Sequence, residues 1–190
     1  MKILLIGASG QLGQTLIKTK PQNIEIIECN RSNIDLSNLE LINDFILSSN
    51  ANFVINSAAY TGVDKAELES ELAYQINAEA PNAIANAVSK TKGSLIHIST
   101  DFVFDGTKNT PYNPKDYVKP LGIYGKSKAK GEEYVLKLKS NCVVRTSWLY
   151  GDFGKNFCLT MLRLHKEKSL AKQPLSCLLY TSDAADEYSG

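Results

Sequence analysis

Lys2-Ile-Leu-Leu-Ile6-Gly7-Ala-Ser-Gly10-Gln-Leu-Gly13 opens the chain, and the architecture is decided in this stretch. A short apolar run passes straight into glycine. The residues that follow carry apolar side chains at Leu12, Leu16 and Ile17, the spacing of one helix face. Strand, tight turn and helix are therefore expected in that order. On such a turn Gly7 lets the chain tighten, Gly10 removes a side chain where a pyrophosphate must approach the backbone, and Gly13 lets the helix pack on the sheet. The helix start offers unpaired N–H groups and partial positive charge to phosphates. A merely tight turn is the other reading. The strand before and the helix after favour dinucleotide binding.

Outward from this turn the alternation continues. Ile24 to Cys29 reads as a second strand, Leu39 to Leu47 as an amphipathic helix and Asn52 to Asn56 as a third strand. A helix is expected from about Val63 to Lys90, broken or re-phased near Asn77 to Pro81, and then a strand from Ser94 to Ser99. A loop rich in Gly, Asn and Pro runs from Asp105 to Pro120; helix from about Tyr124 to Leu138, strand from Cys142 to Thr146 and helix from about Asn156 to Lys166 complete the pattern. This order predicts an α/β fold, a Rossmann-type doubly wound parallel sheet with helices on both faces. The segment from Pro174 onward has no clear periodicity, and residues 173–190 are expected to be a non-native or disordered tail, a frameshift remnant on a truncated fragment.

Bulk properties are those of one soluble globular domain: 190 residues, 43% hydrophobic and 22% charged. Lys plus Arg number 21 against 20 Asp plus Glu, so no overall field draws nucleic acid or an anionic membrane. The apolar run Ile3 to Ile6 is far too short to span a bilayer and lacks a signal-cleavage pattern, so a cytoplasmic location is expected. Cys29, Cys142, Cys158 and Cys177 are widely spaced, without a C-x-x-C pair, and read as reduced thiols rather than disulfides or metal ligands.

Candidate site residues cluster where strands end. Asn30 and Arg31 follow the second strand in place of the usual ribose-binding acid. Asn30 suits a 2′-hydroxyl and Arg31 a 2′-phosphate, which favours NADPH over NADH; the other reading makes Arg31 a solvated loop residue. Asp35 and Leu36 are expected beside the adenine. Ala58, Ala59, Tyr60 and Thr61 follow the third strand, where small residues admit either a dinucleotide or a packed helix.

Tyr124 and Lys128 stand one helical turn apart, in Y-G-K-S-K. A phenol of ordinary pKa near ~10 is a poor acid at neutral pH, and a neighbouring ammonium is expected to lower it. Tyr124 then gives a proton to a carbonyl oxygen as hydride reaches the carbon, while Lys128 also reaches the nicotinamide ribose. Thr100 ends the preceding strand, placed to hydrogen-bond the same oxygen. Its other reading is a local cap. A Y-x-x-x-K match alone is common on surface helices; its force here comes from the glycine turn and from Ser99-Thr100-Asp101.

The spacing G-x-x-G-x-x-G is that of short-chain dehydrogenase relatives. Together with N-S-A-A-Y-T-G-V-D-K-A-E, Q-I-N-A, I-H-I-S-T-D-F-V-F-D-G, P-L-G-I-Y-G-K-S-K-A-K-G-E and V-V-R-T-S-W-L-Y-G, it closely resembles the dTDP-4-dehydrorhamnose reductase family, from Met1 to about Lys172. The resemblance implies an NADPH- or NADH-dependent reduction of the 4-keto group of dTDP-6-deoxy-L-lyxo-4-hexulose to dTDP-L-rhamnose. It implies catalytic roles for Thr100, Tyr124 and Lys128, sugar-nucleotide contacts for Asp101 and Trp148, and cofactor contacts for Gly10, Gln11 and Leu12 with Asp35, Leu36, Ala59, Tyr60 and Thr61. It also implies a homodimer, with Mg2+ in some members, although no acidic cluster in the sequence identifies a metal site. Tyr60 stands where many relatives carry histidine. The small substrate domain of the family is expected to be largely missing, leaving 1–172 as the dinucleotide-binding domain with the start of the substrate region. Two alternatives stay open: a sugar-nucleotide epimerase or dehydratase, and a non-catalytic dinucleotide-binding subunit of the methionine adenosyltransferase regulatory type.

Overall fold

The computed structural model describes residues 1–168. The expected tail at 173–190 lies outside them. Five parallel strands run β1 (Lys2–Ile6), β2 (Glu25–Cys29), β3 (Phe53–Asn56), β4 (Ser94–Thr100) and β5 (Cys142–Thr146), in the spatial order β2-β1-β3-β4-β5. The order reverses between β1 and β3, the point at which open parallel sheets leave a crevice beyond their carboxyl ends.

Helices α1 (Gln11–Thr19), α2 (Glu40–Ser49), α3 (Val63–Leu68), α4 (Ser70–Tyr74), α5 (Ala80–Val88), α6 (Ile123–Val135) and α7 (Phe157–Lys168) fill the crossovers and follow β5. Right-handed crossovers set α1 on one face of the sheet and α2, α5 and α6 on the other. The alternation of each strand matches this. Leu4, Ile6, Val54 and Leu95 point to one face and join Ile42, Ile46, Ile84 and Val135 in the main core, while Leu5, fully buried, points to the opposite face. Each such side chain contributes roughly 1.5–3 kcal/mol by leaving water.

The long expected helix 63–90 is interrupted twice. It first bends at Glu69, between α3 and α4, and then passes through a π-helical turn at Gln75–Glu79 before α5. Pro81 causes no break. It follows directly on the π-helical turn, where the backbone stays helical through Glu79 and the re-phased ladder accommodates the missing N–H. The catalytic-motif helix ends at Val135 rather than Leu138, because the Asn141 side chain donates to the Val135 carbonyl at 3.1 Å and accepts from the Leu95 amide at 3.0 Å. Among the described residues no helix is long and apolar enough to cross a membrane.

Candidate active site

A cleft of about 680 Å³ opens at the carboxyl ends of β1, β2 and β3, at the strand-order reversal. Such a volume suits a cofactor-sized ligand. Its floor is the glycine turn. Gly7 has φ +83, and a Cβ there would stand 2.7 Å from the Ala58 amide; one at Gly13 would stand 2.3 Å from the Gly7 carbonyl. Both positions are closed to any side chain, so the turn lies flat between β1 and β3. Gly10 is the N-cap of α1 and offers no side-chain cap, which leaves the first helical N–H groups facing the cleft. At the end of β2, Asn30 Oδ1 is buried without a protein partner, an acceptor oriented for a ligand hydroxyl. These features fit a dinucleotide.

Of the residues expected to hold it, Gly7, Gly10, Gln11, Leu12, Gly13, Asn30, Arg31, Asp35, Leu36, Ala58, Ala59 and Thr61 line the cleft. Arg31 is exposed and reaches Asp35 at 3.8 Å. The Asp35 carboxylate is held below its usual pKa first by the Ser37 amide and hydroxyl and then by Arg31. Tyr60, Tyr124 and Lys128 do not line the cleft. Tyr60 is fastened by its backbone, which donates to Asn77 Oδ1 at 2.9 Å and accepts from Asn77 Nδ2 at 3.0 Å, while its hydroxyl turns outward to Glu69 at 2.7 Å. That bond to a carboxylate pushes the Tyr60 phenol up to about 12.

The candidate catalytic trio stands beyond β4. Thr100 is buried at the strand end; its hydroxyl donates to Asp101 Oδ1 at 3.1 Å and accepts from the Phe102 amide at 3.2 Å. Burial raises the Tyr124 phenol pKa, against a lowering by a hydrogen bond with Thr100 and a smaller rise from Asp101. The expected lowering by Lys128 is absent from these causes. Lys128 instead donates to the Ile98 carbonyl at 2.7 Å, and Ile98 lines the cleft. With only 2% exposure, burial brings its ammonium down to about 8, partly opposed by Glu132. Asp101 Oδ2 also accepts from Ser147 at 2.7 Å. Trp148 is exposed and left-handed at φ +51, its ring edge-on to Phe157 at 5.5 Å; a non-glycine residue in that region is strained, as residues at binding sites often are.

Several residues here went unread in the sequence. Ser57, Ile76, Leu149, Gly154, Asn156 and Thr160 also line the cleft. The last four belong to the segment after β5, which leans on α1 through the Lys18–Asp152 ion pair at 2.8 Å. The run Gly151-Asp-Phe-Gly-Lys-Asn156 was the available signal, a polar loop at a strand's carboxyl end. Below Lys128, His97 is fully buried. Asn56 Oδ1 accepts from the Ala58 amide, so its Nδ2 donates to His97 Nδ1 at 3.2 Å and the imidazole proton is assigned to Nε2. Burial, then the Lys128 charge, holds this ring neutral. Among the described residues no group of three or more His, Cys, Asp or Glu is arranged for a metal.

A doubly wound parallel sheet, a glycine turn at its switch point and a Tyr-x-x-x-Lys helix beyond β4 define the short-chain dehydrogenase/reductase class. Within it, the chain belongs to the family described as the RmlD substrate binding domain, whose model matches residues 1–172. It is 41% identical over 172 residues to a dTDP-4-dehydrorhamnose reductase from Aggregatibacter actinomycetemcomitans, covering 89% of this chain and 58% of that protein. A solved dTDP-4-dehydrorhamnose reductase from Clostridium acetobutylicum superposes with a TM-score of 0.84 at 44% identity, over 88% of this chain and 60% of that one. The Bacillus anthracis reductase, solved in complex with NADP, gives 0.84 at 39% identity over 87% and 60%. The chain thus spans about 58% of the length of the curated relatives it matches.

Proposed function

We propose that the protein to which this chain belongs is an NADPH-dependent dTDP-4-dehydrorhamnose reductase, converting the 4-keto group of dTDP-6-deoxy-L-lyxo-4-hexulose to the alcohol of dTDP-L-rhamnose. The observation that carries the reading is the buried Lys128 donating at 2.7 Å to the carbonyl of Ile98, on a strand that lines the dinucleotide cleft at Ile98 and ends in Thr100. The reduced dinucleotide, when bound, supplies the hydride that reduces the ketone carbon. Thr100 holds the carbonyl oxygen and Tyr124 gives it a proton, so the ketone gains one hydride and one proton. Lys128, held at the Ile98 carbonyl in the cleft wall, is the cation that reaches the nicotinamide ribose. Asp101 and Trp148 border the sugar, the indole as an apolar wall. On this reading residues 1–172 are the dinucleotide-binding domain with the start of the substrate-binding region. A homodimer in the full-length form rests on the family resemblance, and a cytoplasmic location on the sequence pattern of the N-terminal apolar run.

The test is incubation of the full-length gene product with the keto-sugar nucleotide while NADPH absorbance is followed. Loss of one NADPH per rhamnose nucleotide formed is expected, with turnover reduced by orders of magnitude in Tyr124→Phe and cofactor affinity nearly unchanged. Sugar conversion without net NADPH oxidation would instead mark an epimerase or dehydratase.

A further inference from the structure

The V-D-K-A-E motif has no role in the chemistry above, although it is among the most discriminating stretches of the sequence. Its glutamate lies on α3, against the start of α6. The N-cap of α6 is Gly122, which has extended backbone (φ −96, ψ 172) and no side chain with which to cap. The first helical amide, Ile123 N–H, donates instead to Glu67 Oε1 at 2.7 Å, across 56 residues of sequence. A Cβ at Gly122 would stand 2.8 Å from that same oxygen. The missing side chain at 122 thus makes room for a carboxylate brought from another element. Ala66, fully buried, fixes the backbone that carries it.

We propose that Glu67 is a positioning residue: its carboxylate caps the N-terminus of α6 and thereby sets where Tyr124, the next residue after Ile123, presents its hydroxyl to substrate. The inference rests on the reductase reading for its effect on turnover. A helix begins with four N–H groups that lack intrahelical partners, and its first turn frays unless they are satisfied. A carboxylate at that end is favoured both as a charge-assisted acceptor and by the helix dipole. Tyr124 sits inside this vulnerable turn. Its other side-chain neighbour there is Phe102, whose ring meets the phenol edge-on at 5.5 Å. Glu67 meets the helix at the Ile123 amide and not at the phenol, so it acts on Tyr124 through the backbone. A misplacement of about 1 Å is enough to cost on the order of 100-fold in rate.

Three variants test this. Glu67→Ala is expected to speed hydrogen exchange at the Ile123 amide roughly 10-fold, matching the loss of a typical cap, with exchange in β1 and β4 unchanged. In the full-length protein kcat should fall roughly 10-fold or more while the NADPH Kd stays constant. Glu67→Gln keeps the acceptor oxygen and should retain most of kcat. Adding Gly122→Ser to Glu67→Ala supplies a hydroxyl cap at a residue already in cap geometry and should restore both protection and turnover. The proposal is overturned if Glu67→Ala exchanges like the parent at Ile123, if Glu67→Gln is as damaging as alanine, or if the serine does not rescue. Exchange needs no substrate. A parent protein that leaves the keto-sugar unreduced therefore sinks the reductase reading, while the Ile123 amide still decides the cap.

Discussion

Lys128 is the residue whose surroundings differ most from those of a surface lysine. Burial brings its pKa from 10.5 to about 8, although Glu132 one turn on favours the charge. In the unfolded chain the ammonium persists to its ordinary value. Below about pH 8 both states are protonated and the folded one carries the full cost of a buried cation. Between about 8 and 10.5 the unfolded state binds the extra proton, so this group makes stability rise with pH. At 1.36 kcal/mol per pKa unit the gain is about 3 kcal/mol. Urea unfolding of the parent and Lys128→Met at pH 7, 8.5 and 10 reads it as a steady gain of the parent relative to the variant as the pH rises. Parallel curves would mean that Lys128 titrates as in water.

At the scale of elements, α6 is held from behind by the π-helical turn. Gly131 lies so close to it that a Cβ would stand 2.1 Å from the Asn77 carbonyl, and Asn77 Nδ2 donates to Ser127 at 3.1 Å on the same helix. Backbone cannot yield as a side-chain tip can. Gly131→Ala should therefore destabilise by about 2 kcal/mol, overpacking of ~1–3 kcal/mol outweighing the helix-propensity gain of up to ~1 kcal/mol. For a domain of this size that lowers the melting temperature by about 4–8 °C, readable by circular dichroism; an unchanged or higher melting temperature would show that the two elements separate easily. The contact also explains what could be read in advance. Each strand and the glycine turn were legible because apolar runs and φ-permissive residues are local signals. A re-phasing near Asn77 could be read from the sequence, yet the close approach there of Gly131, on a helix 54 residues later, could not. Tyr124 and Lys128 were legible for the same local reason, their spacing on one helix. Glu67 and His97 were not, because their partners Ile123 and Asn56 come together only through the crossovers.

For the whole molecule the open question is how the cleft reads its ligand. The glycine turn and the helix start treat NADH and NADPH alike, since both carry the same pyrophosphate. Discrimination falls to the end of β2, where Asn30 offers an unpartnered oxygen and Arg31 a guanidinium, 83% exposed, leaning only loosely on Asp35. A 2′-phosphate can draw Arg31 away from a 3.8 Å contact at little cost, because exposed pairs contribute ~0–1 kcal/mol. The chain is therefore expected to bind NADPH about 10-fold more tightly than NADH at low salt, a charge-assisted contact being worth about 1.5–3 kcal/mol before screening. Thermal shift reads this directly: ligand at about 100 times its Kd adds ~2.7 kcal/mol, or about 5–10 °C for a domain of this length. Arg31→Ala should bring the two cofactors to near-equal affinity without unfolding the site. Gly13→Ala, whose Cβ collides with the Gly7 carbonyl, should abolish the shift for both. A preference that survives Arg31→Ala would move the 2′-phosphate contact to another part of the cleft rim, and a full shift in Gly13→Ala would remove the dinucleotide from this turn altogether.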